Sequence, residues 1–294
     1  MNQRTQIRFL HDGRRLHLHD GPIDIVLEAF GAPKEIEKAY SAAAERFSSV
    51  LDELCSELPD LRKPAGEGTL NGVIAQRMLD AILPYAASTF ITPMAAVAGA
   101  VAEEVLQAMT EAADLSRAYA NDGGDIALHL SAGEQFEIGM VELPETPSLL
   151  GTVSIGASTP VRGIATSGWR GRSFSLGIAD AVTVLAQAAS AADAAATVIA
   201  NAVDLPGHPA ITRVPACELA PDNDLGLLLV TQYVAELSFE EIHAALDNGL
   251  RTARNLLDRK LIVAAALSLQ GEVRLIGDSL QLMHASEVET RAHA

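Results

Sequence analysis

The sequence predicts an α+β fold, a largely antiparallel sheet or pair of sheets covered by helices. Alternating apolar and polar residues mark a strand meander near the start, and three-to-four-residue spacing marks long helices after it. Strands and helices also come in blocks instead of strict alternation, which argues against a parallel α/β arrangement.

The stretches "TQIRFL", "RRLHLH" and "IDIVLEAF" alternate by two, with "HDG" at 11–13 and "HDGP" at 19–22 as turns, so an antiparallel meander is expected. From Pro33 the period becomes helical. "KEIEKAYSAAAERFSSVLDELCSEL" puts Ile36, Tyr40, Ala43 or Ala44, Phe47, Leu51 and Leu54 on one stripe, and "PDLRKPAGEG" ends the helix in a polar loop. Two further helices are expected at "NGVIAQRMLDAILPYA" and "TPMAAVAGAVAEEVLQAMTEAA", the second opened by Thr92 as cap and Pro93 in the first turn. Its small residues, among them Ala98, Gly99 and Ala100, let another backbone or a flat ligand come near. "RAYAN" and "DIALHLS" read as strands around the turn "NDGGD", followed by a strand at "QFEIGMVEL".

The second half repeats this style, with strands at "GTVSIGAS", "RGIATS" and "DAVTVLAQ", an alanine-rich helix at "SAADAAATVIANAVD", and a strand in "GLLLVTQYVAEL". A helix from about Phe239 to Leu257 and a final strand pair, "LIVAAALSLQ" and "EVRLIG", complete the core. Residues 1–280 read as one domain, divisible into two intimately packed halves at about 145, and residues 281–294 as a polar tail.

The 294 residues suffice for a substantial core. The formal net charge of −17 repels phosphate backbones and anionic membranes, which argues against nucleic acid and membrane surfaces as partners. An anionic ligand would need a metal ion, turn N–H groups or local arginines. Cys55 and Cys217 lie far apart and read as thiols in a reducing compartment. No apolar leader is visible and no run approaches ~18 apolar residues, so a cytoplasmic protein is expected. Alanine-rich helices and antiparallel edges make a homodimer an expectation as well.

Asp193 and Thr197, four residues apart in the alanine-rich helix, share a face and offer hard oxygen ligands of the kind magnesium accepts. The same spacing fits Asp193 as a helix cap and Thr197 as a packed hydroxyl bonded one turn back. In "ANDGGDIALH", Gly123 and Gly124 permit positive φ and present successive N–H groups, suited to an anion or to a plain β-turn. In "RGIATSGWRGRS", Thr166, Ser167 and Gly168 end a strand, and Arg170 and Arg172 are placed to hold phosphate or carboxylate. Trp169 is suited to stacking on a ring or to packing. His17 and His19 share a strand face with no third ligand close in sequence, so solvent-facing histidines are the simpler reading. No nucleophile elbow, Walker loop or dinucleotide fingerprint occurs.

The order of "AAVAGAVAEE", "NDGGDI", "IATSG" and "VTVLAQAASAADAAATVIA" resembles the ApbE-like superfamily, whose characterised members are magnesium-dependent FAD:protein FMN transferases. The resemblance spans about residues 90–204 and implies a T-fold-related two-layer architecture. It makes Asp193 and Thr197 Mg²⁺ ligands with a backbone carbonyl from Ala98. It places Asn121, Gly123, Gly124, Thr166, Ser167, Gly168, Trp169 and Phe174 near a bound flavin, FAD or FMN. Asp125, Arg170 and Arg172 become the residues of the chemistry. The family's His-x-x-Asp-Pro stretch is replaced by "WRGRSFSLGIAD", with Phe174 near the expected histidine, which points to a divergent branch. Three functions follow from the resemblance and the arginines. The first is a flavin transferase or FAD-pyrophosphate-cleaving enzyme, and the second a flavin- or heterocycle-binding protein without catalysis. The third is an enzyme for a small N-heterocyclic or carboxylated metabolite, held by Arg162, Arg170, Arg172 and Arg213.

Overall fold

The computed structural model describes residues 4–143, 146–277 and 281–282. In chain order the elements are β1 (Gln6–Phe9), β2 (Leu16–Asp20), β3 (Ile23–Gly31), α1 (Pro33–Leu61), α2 (Val73–Ile82) and, after a 3₁₀ turn at Pro93–Ala96, α3 (Val97–Ala112). There follow β4 (Leu115–Asp122), β5 (Asp125–Leu130), β6 (Gln135–Leu143), β7 (Thr146–Gly156), β8 (Gly163–Ser167), β9 (Ala181–Ala186) and α4 (Ala189–Ala202). The chain continues through β10 (Ile211–Pro215), α5 (Ala216–Leu219), β11 (Leu229–Val234), α6 (Phe239–Asp258), β12 (Ala264–Leu269), β13 (Glu272–Ile276) and β14 (Gln281–Leu282). The predicted α+β class holds: the strand pairs whose register is defined are antiparallel.

The chain divides into two compact units. The first comprises the residues up to Glu134 with Pro160–Ala165 and Ala186–Ala194; the second comprises Gln135–Thr159, Thr166–Leu185 and the residues from Ala195 on. In the first, the strands hydrogen-bond in the order β1-β2-β3-β4-β5-β8. In the second the order is β8-β9-β12-β13, with β10-β11 and β14-β7-β6 as separate small sheets.

In the first unit, the meander alternates as expected. Leu16, Leu18, Ile23, Ile25 and Leu27 are buried, and His17, His19, Asp24 and Val26 between them are half-buried. The buried stripe of α1 runs through Tyr40, Ala43, Phe47, Val50, Leu54 and Leu61, so Val50 takes the core position expected of Leu51, and Ile36 and Leu51 are half-buried. The helix also passes through Pro59 to Leu61 instead of stopping before it. Pro59 has no N–H to give the Cys55 carbonyl, but it stands in the last turn, so only one bond is lost and little helix remains beyond it. Thr92 makes no side-chain cap bond, and a 3₁₀ turn precedes α3 where a continuous helix was expected.

A chain of ion pairs ties α1, α2 and α3 together. Arg46 on α1 donates to Glu53 at 2.8 and 2.7 Å and to Glu104 on α3 at 2.7 Å. Arg77 on α2 reaches Glu104 at 2.7 Å and Glu103 at 3.2 Å. The other oxygen of Glu103 accepts the Ser190 N–H at 2.7 Å and its hydroxyl at 2.9 Å, satisfying an otherwise orphaned first-turn donor of α4. That bond needs the two helices close together. Gly99 permits it: a Cβ there would lie 2.3 Å from the Ala189 carbonyl oxygen, a backbone atom that cannot yield.

In the second unit, α6 begins with a capping box, Ser238 accepting from the Glu241 N–H and Glu241 from the Ser238 N–H. β7 begins at Thr146, five residues before the expected "GTVSIGAS", and β10 and α5 had no expected counterpart. At the expected tail, Gln281 and Leu282 pair with Thr152 and Gly151 of β7, and 283–294 lie outside the described residues. Among the described residues, no helix is long and apolar enough to cross a membrane.

Two outcomes follow from the first unit. Burial acts to raise the Glu104 carboxyl, but hydrogen bonds and charge from Arg46 and Arg77 outweigh it and hold the group below its ordinary 4.5. Its stabilisation is therefore complete above pH 4.5 and lost as pH falls through the lower folded value. Glu104→Ala is expected to cost about 3 kcal/mol at neutral pH and to flatten the acid limb of the urea midpoint plotted against pH. A mutant as acid-sensitive as the parent would contradict this. Gly99→Ala is expected to cost about 2–3 kcal/mol in the same denaturation experiment, because the collision is with backbone; an unchanged midpoint would show that the helices separate freely.

Candidate functional site

The junction of α3 and α4 holds the acid singled out in the sequence. Asp193 is not the cap of its own helix, since α4 starts four residues earlier at Ala189. It caps α3 instead. Its Oδ2 accepts the Gly99 N–H at 3.1 Å, and the Ala98 N–H also bonds its carboxylate. These are first-turn amides of α3, with no partner inside that helix, and the positive helix end favours a carboxylate there. The capping is reciprocal, Asp193 of α4 serving α3 and Glu103 of α3 serving α4.

The hairpin of β4 and β5 brings further charge. Asp122 and Asp125 face each other across a two-residue turn in which Gly123 has φ 64° and Gly124 φ 115°. Asn121 Oδ1 accepts the Gly124 N–H at 2.8 Å and holds the turn. Asp122 is buried, and its Oδ1 accepts the Asp24 N–H at 3.3 Å. Burial, then the charges of Asp125 and Asp122, push the Asp193 carboxyl well above its ordinary value, and the amides of Gly99 and Ala98 only partly offset this. The charge of Asp125 thus acts against ionisation of Asp193.

Hard oxygen donors under mutual repulsion suit a divalent cation, so the residues here fit the Mg²⁺ that the resemblance implies. Among the described residues, no group of three or more His, Cys, Asp or Glu has the geometry of a metal site, so the remaining donors would be hydroxyl, backbone or water oxygens. Thr197, one turn along α4, is half-buried. Ala98 reaches Asp193 through its N–H, while its carbonyl lies in the first turn of α3.

The residues after β8 in the second unit form a separate cluster. Thr166 and Thr183 share a hydroxyl hydrogen bond of 2.9 Å, and Ser167 is half-buried. At Gly168 a Cβ would lie 2.3 Å from the Asp180 carbonyl oxygen. Trp169 and Arg170 are both bound to Asp180, an acid that sequence reasoning missed although it stands alone in the apolar run "LGIADAVTV". Arg172 and Phe174 are exposed.

Other candidates are engaged elsewhere. Arg213 pairs with Asp204, and Arg162 donates to the Val161 carbonyl at 2.5 Å. His17 and His19 do not simply face solvent. The β2–β3 turn folds Asp24 back against them, at 2.8 Å from His17 Nε2 and 3.2 Å from His19 Nδ1. Arg8 donates to His17 Nδ1 at 3.2 Å, so His17 Nε2 carries the N–H that donates to Asp24.

A UPF0280 protein of Methanopyrus kandleri is 36% identical over 171 residues, covering 57% of this chain and 66% of that protein. Another, from Methanothrix thermoacetophila, is 37% identical over 131 residues, covering 40% of this chain and 49% of that protein. The chain therefore spans about half to two thirds of the length of these relatives. The solved structure of the flavin transferase ApbE from Vibrio cholerae superposes with a TM-score of 0.40 at 10% identity, covering 94% of this chain and 98% of that one. A family model described as AbpE bacteria matches residues 7–275, nearly the whole chain. The family resemblance read from the sequence is borne out, and the chain belongs to this ApbE-like family as one of its divergent members.

Proposed function

We propose that the chain is a Mg²⁺-dependent enzyme acting on a flavin nucleotide, cleaving the pyrophosphate of FAD to pass FMN to an acceptor hydroxyl. Family membership and the order of the Gly-Gly-Asp, Thr-Ser-Gly and Asp–Thr motifs support the reading. The observation that carries it is the half-buried Asp193 carboxyl set on the first-turn amides of α3, its ionisation opposed by burial and by the charge of Asp125. Asp193 and Thr197 are the residues to hold the ion, whose contribution when bound is to neutralise charge on the pyrophosphate.

In the balanced reaction the acceptor oxygen bonds to the flavin-side phosphorus, the P–O bond to the adenylate breaks, and AMP leaves. The acceptor's proton goes to a base. With Phe174 standing where the family's histidine is expected, Asp125 Oδ is the candidate for that proton. Asn121 fixes its turn through Gly124. With water as acceptor the products are FMN and AMP.

A second reading, flavin binding without cleavage, is favoured by the same Phe174. The internal commitments of Arg162 and Arg213 weigh against the third, a site of four arginines for a carboxylated metabolite.

Incubation with FAD and magnesium chloride, followed by chromatography of nucleotides, decides between the first two. AMP release is expected, lost on EDTA addition and reduced at least about 100-fold in Asp193→Asn or Asp125→Asn, the size of effect that removal of a metal ligand or a base produces. Tight FAD binding with no AMP from the parent would leave the binding protein, and no FAD binding would sink both.

A further inference from the structure

The turn after β8 holds a carboxylate with more partners than a surface loop requires. The Gly171 N–H donates to the Gly168 carbonyl at 3.1 Å, and the two residues enclosed by this turn, Trp169 and Arg170, are bound by one acid. Asp180 Oδ1 accepts the Trp169 indole N–H at 3.1 Å and the Arg170 Nε–H at 2.7 Å. Its Oδ2 accepts the Gln270 N–H at 2.6 Å. The Arg170 guanidinium carbon lies 4.8 Å from the centre of the Trp169 ring. Side-chain exposure is 7% for Asp180 and 45% for Arg170, so the acid is anchored inside and the guanidinium reaches the surface.

A guanidinium carries five N–H donors in a fixed fork. One is spent on Asp180, and the four on the Nη atoms have no protein partner among the described residues. Arg172, two residues on, is exposed and likewise without an ion pair among them. In a chain with 38 acidic and 21 basic residues, the Arg170 charge is met by Asp180 at Nε alone, and Arg172 adds a second cation to the turn. An arginine pinned at Nε and packed on an indole has already lost much of its rotamer freedom, so an incoming oxyanion meets a preorganised fork. Tetrahedral phosphate suits that fork.

We propose that Asp180 is a positioning residue: it fixes the Trp169–Arg170 pair as the recognition point for the phosphate of the flavin nucleotide, so that the protein discriminates FMN from riboflavin. This rests on the flavin reading and adds to it the group that reads the phosphate. Arg170 makes the contact, Asp180 acts through Arg170, and Trp169 is the surface against which the guanidinium is held.

Trp169 is the only tryptophan in the chain, so its emission reports on this turn alone. Calorimetric titration without added metal, using FMN and riboflavin as probes, tests the assignment on the full chain. The parent is expected to bind FMN at least about tenfold more tightly than riboflavin, the scale of one charge-assisted contact. Arg170→Gln and Asp180→Asn are each expected to erase that preference while leaving riboflavin affinity within about twofold. Asp180→Asn is also expected to move the Trp169 emission of the ligand-free protein, which loss of a remote structural contact would not do. If Asp180→Asn fails to fold, the exposed Arg170→Gln carries the test. An FMN preference that survives Arg170→Gln overturns this proposal and leaves the flavin reading standing; a parent that binds neither flavin overturns both.

Discussion

The contact between the first turns of α3 and α4 is the constraint on which the rest of the candidate site depends. Each helix start leaves amide donors without a partner, and a buried one left unpaired costs roughly 1–3 kcal/mol. The two helices meet that need for each other, Asp193 serving Ala98 and Gly99, and Glu103 serving Ser190. Such an exchange is possible only at backbone contact, which explains Gly99 and the fully buried Ala189, Ala192 and Ala194. The blandness of the alanine-rich helix is therefore the geometric condition for placing its one acid.

Arginine charge is held in two ways. Arg46 and Arg77 are locked between Glu53, Glu103 and Glu104, where they serve packing. Arg213 is locked to Asp204 in the second unit. Arg170 shares only its Nε with Asp180 and keeps the rest of its fork at the surface. Sequence presented Arg170 and Arg213 alike as anion-holding candidates in a very acidic chain; their partners separate them.

Local signals read well and distant ones did not. Period-two alternation yielded β1 to β3, the glycine pair yielded the hairpin of β4 and β5, and helical spacing yielded α1 and α6, because each depends on residues close in the chain. The passage of α1 through Pro59, the early start of β7 and the presence of β10 and α5 depend on packing that no local rule encodes. The same division runs through the site. Spacing of four put Asp193 and Thr197 on one helix but could not say that Asp193 caps a helix that starts 96 residues earlier, at Val97. Asp180 escaped notice because its partners are two side chains upstream and the backbone of Gln270, 90 residues away. Asp24 lay five residues from His19 and was passed over because only a tight turn brings it back.

Asp193 alone would not distinguish a metal site from a structural junction, since capping α3 is sufficient reason for a carboxylate there. The proposed reading adds the influence of Asp125. The cap makes no use of it, and its charge works against Asp193 in a partly desolvated place. A hairpin closing on Gly123 and Gly124 would turn as readily with an uncharged asparagine or serine at that position. On the proposed reading, the chemistry is sought first at Asp125 and Asp193, and only second in the Asp193–Thr197 spacing that drew attention to the helix.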